Sequence, residues 1–552
     1  MSKVFSPQDF EEAVESGEVL ARADSLGLLG ALAKVAVRSR NAPRRMADLG
    51  VELGKITVGR SGVRPEPKDW RFANRAWSEN PAFRRLAQGY LAWAQVVDRI
   101  VADADLDWRT TERAQFATRL MTSALSPTNF LPLNPDALER AWETGGKSLL
   151  RGLRNIGRDI RHNSGVPRSV KPGAFTVGKN LAVTPGAVVY RNEVCELIQY
   201  SPQTPAVYSL PVVLIPPQIN KFYFMDMAPG RSLVEYAVRQ GFQVFVVSWR
   251  NPTAEHHDWD LDKYAGAAIE ALRAAQEITG SDRVNTIALC AGGITTAAVI
   301  GHLAAIGDPL VHSATFAVTL LDFSEPTMIG MFGSASVVRN AIRSSERAGV
   351  LDGNATRLLF ALLRPNELLW NYWVSNNLLG EDPPTFDVLA WNADSTRLPA
   401  SLHADFLDIF RNDSFSAGTL KTLGTTVELA QVKCDNFVVA ASNDHLTAWR
   451  ACYSTTRLLG GPSEFTLSSS GHIQSLVNPP GNPKMTYASG PATGTGPDKW
   501  LAGAVQHQGS WWERWAGWLA PRSGDQRAPA TGLGSKEHPP IEPAPGLYVM
   551  ER

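Results

Sequence analysis

The stretch Val284-Asn285-Thr286-Ile287-Ala288-Leu289-Cys290-Ala291-Gly292-Gly293-Ile294-Thr295 decides how the fold is read. Apolar and β-branched residues fill a strand length before Cys290, and two glycines lead from it into a helix-like run, Ile294 to Ala304. Strand, one-residue corner and helix form the pattern of a nucleophile elbow. In an elbow the side chain stands exposed on a tight turn, and the following backbone N–H groups face the same point. Strand and helix backbones nearly touch there, so the neighbours must be small, as Ala288, Ala291, Gly292 and Gly293 are. Taken alone, the stretch fits equally well a buried cysteine in the turn of an ordinary α/β protein.

Outward from the elbow, apolar runs of strand length recur. Val188 to Arg191 pairs with Leu197 to Tyr200, followed by Val212 to Ile215, Val244 to Val247 and Ile287 to Leu289. Thr315 to Leu320, Phe437 to Ala440 and Glu464 to Leu467 continue the series. Helical segments such as Leu233 to Gln240 and Tyr264 to Thr279 separate several of them. This alternation predicts an α/β fold, a parallel sheet covered by helices on both faces. It stops between Phe323 and Lys433, where an insert rich in Leu, Trp and Asn stands at the place of a cap over an active site. The expected catalytic domain is residues 173–552, with the cap at about 323–433. Trp511, Trp512, Trp515 and Trp518 are spaced for one helix face, to be buried against the sheet or exposed for docking. The tail from Ser523 to Pro540 reads as extended.

An α/β-hydrolase orders its catalytic groups as nucleophile, acid and histidine, each on a loop after a strand. Cys290 follows one strand, Asp444 follows Phe437 to Ala440, and His472 follows Glu464 to Leu467. His472 generates the thiolate of Cys290 in this scheme, because an ordinary thiol is mostly protonated at neutral pH, and Asp444 orients His472 or acts as a second base. The oxyanion donors are the N–H of Ala291 and a second from the loop Pro216 to Asn220, at Gln218 or Ile219. His445 lies beside Asp444, but the strand-then-loop context favours His472. His256, His257, Asp258, Asp260 and Asp262 superficially resemble a metal cluster. Adjacent histidines on a loop converge poorly on one ion, so no metal is expected. A thiol also exchanges readily with thioesters, which suits transfer of acyl groups from coenzyme A.

The first third of the chain reads differently. Ser6-Pro7 opens an acidic helix, and a run from Leu26 to Arg45 has an amphipathic face that packs on a neighbouring helix or rests on a lipid or polymer surface. From Trp77 to Ile160 apolar residues keep helical spacing between breaks at Pro127, Pro132 and Pro135. An all-helical domain over residues 1–172, without a catalytic cluster, is therefore expected before the α/β domain. Lys+Arg and Asp+Glu both number 54, so bulk charge points to neither nucleic acid nor an acidic membrane. With 44% hydrophobic and 20% charged residues among 552, global disorder is excluded and more than one core is expected. No secretory core is present from Met1 to Glu18, and Leu26 to Val37 is too short to span a bilayer. Four scattered cysteines fit no zinc spacing and suit a reducing cytoplasm.

Several longer motifs resemble those of polyhydroxyalkanoate synthases over nearly the whole chain. They include Trp77-Ser78-Glu79-Asn80-Pro81, Pro216-Pro217-Gln218-Ile219-Asn220-Lys221-Phe222-Tyr223 and Val247-Ser248-Trp249-Arg250-Asn251-Pro252. Arg364 to Trp373, Asp394-Ser395-Thr396-Arg397-Leu398-Pro399, Asn443-Asp444-His445, Ser470 to Ser475 and Asn478 to Lys484 continue the match. The resemblance implies an α/β-hydrolase fold that polymerises (R)-3-hydroxyacyl-CoA into a storage polyester and releases coenzyme A. It carries the catalytic Cys, Asp and His onto Cys290, Asp444 and His472. It further implies a cytoplasmic homodimer on the surface of growing polyester granules, with no cofactor beyond the CoA thioester substrate. Gln218 and Asn478 to Lys484 look most like the medium-chain class. The chain departs from the family's pattern at Ala288, usually Gly, and at Ala448, often Pro. A thioesterase or polyester depolymerase shares the same triad, and a non-catalytic granule-binding protein is the alternative of another class.

Overall fold

The computed structural model describes residues 27–163, 165–328, 330–494 and 496–552. The expected helix at Ser6-Pro7 lies outside them. The chain divides into two compact units: the described residues up to Ala174 together with Arg357–Phe386, and Phe175–Thr356 together with Asp387–Arg552.

The first unit is helical. Among its helices are α1 (Leu28–Arg38), α2 (Ala42–Thr57), α3 (Pro81–Ala102), α4 (Trp108–Ala124), α5 (Pro135–Glu143) and α6 (Lys147–His162). Local sequence starts several of them. Asn80 and Asn134 cap α3 and α5 through their side chains, each with proline at the first helical position, and Asp107 caps α4. The run read as one helix from Leu26 to Arg45 is broken at Ser39–Asn41, because Pro43 belongs in the first turn of a new helix. Of the two readings of its face, packing is what occurs: Ala31 and Val35 are buried against Val101, Ala104 and Ala114. The segment Arg357–Phe386, read from sequence as cap, groups with this unit instead. Its Val374 and Leu378 pack on Ala137, and the Trp373 indole donates to the Asn129 carbonyl at 3.0 Å.

The second unit is built on an eleven-stranded sheet. Its strands are β1 (Gly186–Arg191), β2 (Cys195–Tyr200), β3 (Val212–Ile215), β4 (Val244–Trp249), β5 (Val284–Leu289) and β6 (Val311–Ala317). They continue with β7 (Asp435–Ala441), β8 (Ser463–Ser468), β9 (Thr486–Pro491), β10 (Val505–Gln508) and β11 (Glu542–Pro543). In space the order is β10-β9-β8-β7-β6-β5-β3-β4-β2-β1-β11. The six strands from β8 to β4 run parallel, as the alternation of strands and helices leads one to expect, and antiparallel strands extend both edges.

The parallel strands are buried on both faces, so they read as continuous apolar runs. Alternation divides them cleanly. Val213, Ile215, Phe245 and Val247 meet α8 (Leu261–Thr279) and α9 (Ala291–Ala305). Val212, Leu214, Val244 and Val246 instead face α7 (Leu233–Arg239) and the later helix Trp511–Leu519. Trp511, Trp512, Trp515 and Trp518 are buried there, which selects core over docking face. Strand β6 begins and ends earlier than read from sequence, because Val318 adopts a left-handed backbone (φ 46°) and turns the chain out of the sheet.

Candidate active site

Cys290 stands between β5 and α9 with φ 50° and ψ −123°, a conformation costly for a non-glycine residue and held by its surroundings. Its N–H donates to the Ala317 carbonyl at 3.0 Å. Its carbonyl accepts the Gly293 N–H at 2.9 Å and the Thr319 hydroxyl at 3.3 Å. The glycines are needed because the chain passes so close. A Cβ on Gly292 would lie 2.5 Å from the Ile215 and Pro216 carbonyl oxygens, and one on Gly293 would lie 2.1 Å from Thr319 Oγ1. Ala288 is fully buried in β5, opposite Ile215 and Phe316. The Cys290 thiol is free and partly exposed, at the N-terminus of α9, where the helix dipole favours a negative charge.

Asp444 and His472 come from the loops after β7 and β8, and the pairing of those strands continues into the loops. The Ser442 N–H donates to the Ser468 carbonyl at 2.8 Å and the Asn443 N–H to the Ser470 carbonyl at 3.1 Å. This brings His472 Nδ1 to 2.6 Å from Asp444 Oδ2. Asp444 Oδ1 accepts the N–H groups of Leu446 (2.8 Å) and Thr447 (3.0 Å), and Oδ2 also accepts the Thr447 hydroxyl at 2.6 Å. Burial raises the cost of charge on Asp444, but His472 and Thr447 outweigh it and hold the carboxyl below its ordinary range. For His472 burial likewise opposes charge, yet the Asp444 carboxylate and a hydrogen bond with Cys290 lift the imidazole well above its ordinary value. With Nδ1 committed to Asp444, Nε2 is the nitrogen left for Cys290.

The short helix His472–Leu476 presents its last carbonyls to a second set of donors. The Trp511 indole N–H donates to the Ser475 carbonyl at 2.6 Å and the Trp512 indole to the Leu476 carbonyl at 3.2 Å. The Ser510 hydroxyl donates to the Asn478 carbonyl. The two indoles satisfy acceptors that a five-residue helix leaves open. Thr447, Trp511 and Trp512 were not among the site residues read from sequence. Thr447 had a signal, since Asp444-His445-Leu446-Thr447 ahead of a helix is an Asx-turn pattern; the two tryptophans had none.

The expected oxyanion donors lie on two elements packed together. Among the described residues no group accepts from the N–H of Ala291, Gln218 or Ile219. The Gln218 side chain turns away to donate to Thr295 Oγ1 of α9 at 2.8 Å, which fixes the loop to the helix. Three members of the His/Asp cluster hold structural contacts: His256 bonds Thr253, Asp260 caps α8, and Asp262 accepts the Leu423 N–H at 2.8 Å. No group of three or more His, Cys, Asp or Glu among the described residues is arranged for a metal. No helix among them is long and apolar enough to cross a membrane.

An α/β-hydrolase fold with cysteine at the elbow and a carboxylate-held histidine defines the class. The family model "alpha/beta hydrolase fold" matches residues 211–479, and that of the "Poly-beta-hydroxybutyrate polymerase (PhaC) N-terminus" matches residues 68–237. Poly(3-hydroxyalkanoate) polymerases 1 and 2 of Ectopseudomonas oleovorans are 44% and 45% identical to the chain. The first alignment covers 97% of this chain and 96% of the relative, the second 95% of each. The poly(3-hydroxyalkanoate) polymerase subunit PhaC of Cupriavidus necator is 37% identical over 92% of this chain and 87% of its own length. The chain belongs to the polyhydroxyalkanoate synthase family, whose members are acyltransferases.

Proposed function

We propose that the chain polymerises (R)-3-hydroxyacyl-CoA into polyhydroxyalkanoate with release of coenzyme A, using Cys290 as nucleophile, His472 as proton carrier and Asp444 as its orienting partner. The reading rests on His472, 2.6 Å from the Asp444 carboxylate, together with Cys290 on the strand-to-helix corner at the N-terminus of α9. Cys290 Sγ, its proton already held at His472 Nε2, attacks the thioester carbonyl as the thiolate. The tetrahedral oxyanion is received by the Ala291 N–H and by that of Gln218 or Ile219. Collapse breaks the bond to the CoA sulfur, which leaves with the proton from His472, and the acyl group remains on Cys290 as a thioester. In elongation a 3-hydroxyl attacks an acyl thioester, forming an ester and freeing a thiol. His472 is the base for this step too, because hydrogen bonds already engage both oxygens of Asp444. A second base role for Asp444 is thereby disfavoured.

The CoA thioester carries its own activation, so the reaction needs no cofactor. Gln218 and the Asn478 to Lys484 pattern support medium-chain acyl groups. The family resemblance supports a homodimer acting at the granule surface inside the cell. Purified protein incubated with (R)-3-hydroxyacyl-CoAs of graded length should release coenzyme A together with insoluble polyester. Free hydroxy acid without polymer would make it a thioesterase, and no thiol release would leave only a binding protein. Cys290→Ala should abolish turnover with an unchanged circular dichroism spectrum; polymer made by that variant would move the nucleophile elsewhere.

A further inference from the structure

Helix α6 of the helical unit is turned inside out. Its small and polar residues face inward: Ser148, Gly152 and Asp159 are buried, with Gly152 against the Asn377 backbone. Its apolar residues face solvent, with Leu150 59%, Leu153 65% and Ile160 45% exposed. Leu149 and Ile156 lie half-buried between them. At 3.6 residues per turn these five occupy one face, and Lys147, Arg151, Arg154, Arg158 and Arg161, all exposed, occupy the next. Its single acidic residue, Asp159, is buried 3.5 Å from Arg168. The chain enters the helix from Trp142, itself 89% exposed.

An apolar face bordered by arginines is the pattern of a helix that lies in a lipid interface, its leucines among acyl chains and its cations among headgroups. We propose that α6 docks the protein onto an anionic phospholipid surface. Charge decides among the possible occupants. A neutral polyester surface offers the five cations no counter-charge, and a second copy of the same face would set arginine against arginine. Anionic headgroups match both halves of the helix.

The test uses full-length protein without substrate, so its outcome is independent of the reaction assigned above. Sedimentation with vesicles of phosphatidylcholine alone is compared with phosphatidylcholine plus phosphatidylglycerol. The expected result is binding to the anionic vesicles only, weakened by high salt. The triple variant Arg151→Glu, Arg154→Glu, Arg158→Glu should lower it by about tenfold or more. Leu150→Ser with Leu153→Ser should also lose binding. Both variants should keep the wild-type melting curve and activity on soluble acyl-CoA. Equal binding to neutral vesicles, no binding to either, or anionic binding untouched by both variants overturns the proposal. So does a charge-reversed protein whose only change is its oligomeric state, or capture by an acidic protein in place of lipid.

Discussion

At the elbow, the position of Cys290 is set almost wholly by main chain. Its N–H and carbonyl are tied to Ala317 and Gly293, and glycines let the β3 carbonyls pass within reach of α9. On the other arm, side chains add to the main-chain bonds in holding Asp444 and His472, one from nearby in the sequence and one from far off. Thr447 fixes the carboxylate, and Trp511, some forty residues on from His472, fixes the helix that carries the imidazole. The first kind of construction depends on residues being small enough. The second depends on particular donors being present, so single substitutions that keep size and shape should damage it while leaving the elbow intact.

Asp444→Asn is the strongest test of that contrast, because it keeps shape and removes charge. Activity should fall by about 10³–10⁴-fold, the scale of losing the orienting carboxylate of a triad. The pH dependence has a definite sign. Asp444 raises His472 above its ordinary value, so in the wild type the imidazolium persists into alkaline solution. Without the carboxylate it deprotonates earlier, and the alkaline limb of the pH–rate profile should move to lower pH. In stability terms, His472 contributes fully below its ordinary imidazole value, and the contribution is lost as pH rises through the raised one. Asp444 contributes above the ordinary carboxylate value, and that share is lost as pH falls through its lowered one. A variant whose alkaline limb stays in place would show that Asp444 does not set the charge on His472.

The same contrast explains what the sequence made legible. The elbow is contiguous, so twelve residues offered Cys290 as a candidate, which only the downstream acid and histidine set apart from an ordinary buried thiol, and the parallel strands announced themselves as unbroken apolar runs. Asp444 and His472 were candidates through their order after strands. The groups that orient them were not, because Ser475 and Trp511 meet only once the sheet has formed. The antiparallel edge strands β9 and β10 were missed for a related reason. Sequences such as Thr486–Pro491, with its Gly and Pro, and Val505–Gln508, with one apolar residue, are strands through their neighbours rather than their own composition. That the segment Arg357–Phe386 groups with the helical unit is not legible in sequence, because its apolar residues are periodic whichever core receives them.

Trp511→Phe tests whether the indole donors matter beyond filling space. The substitution keeps an aromatic ring in the core and leaves the Ser475 carbonyl buried without its donor. Stability should fall by about 1–3 kcal/mol, the cost of an orphaned buried acceptor. If the bond also positions His472, kcat should fall by about tenfold, less than the 10²-fold expected of a full ångström of misplacement. KM and the alkaline limb should hold, since the Asp444–His472 contact is untouched. Lost stability with unaltered kcat would reduce Trp511 to packing, and the arm would then rest on Thr447 and Asp444 alone.

The smallest effect belongs to the loop of the acid. Ala448, directly after Thr447, has φ −50° and ψ 128° and precedes the helix Trp449–Leu458. Among the described hydrogen bonds none uses its N–H, while its carbonyl accepts from Ala451 and Cys452. Proline prefers φ near −65° and lacks only the N–H, so it can occupy this position without losing a bond. Ala448→Pro should therefore act on the unfolded chain, stabilising by about 0.4–1 kcal/mol, with turnover unchanged. A thermal melt reads it as a rise of about 1–2 °C. The risk lies at Thr447, because a following proline disfavours the helical backbone region for the residue before it. A lowered melting point together with a fall in activity would mean that Thr447 had been turned away from Asp444. The acid's loop would then be held by the backbone at Thr447 as well as by its hydroxyl, which would narrow the difference between the two arms.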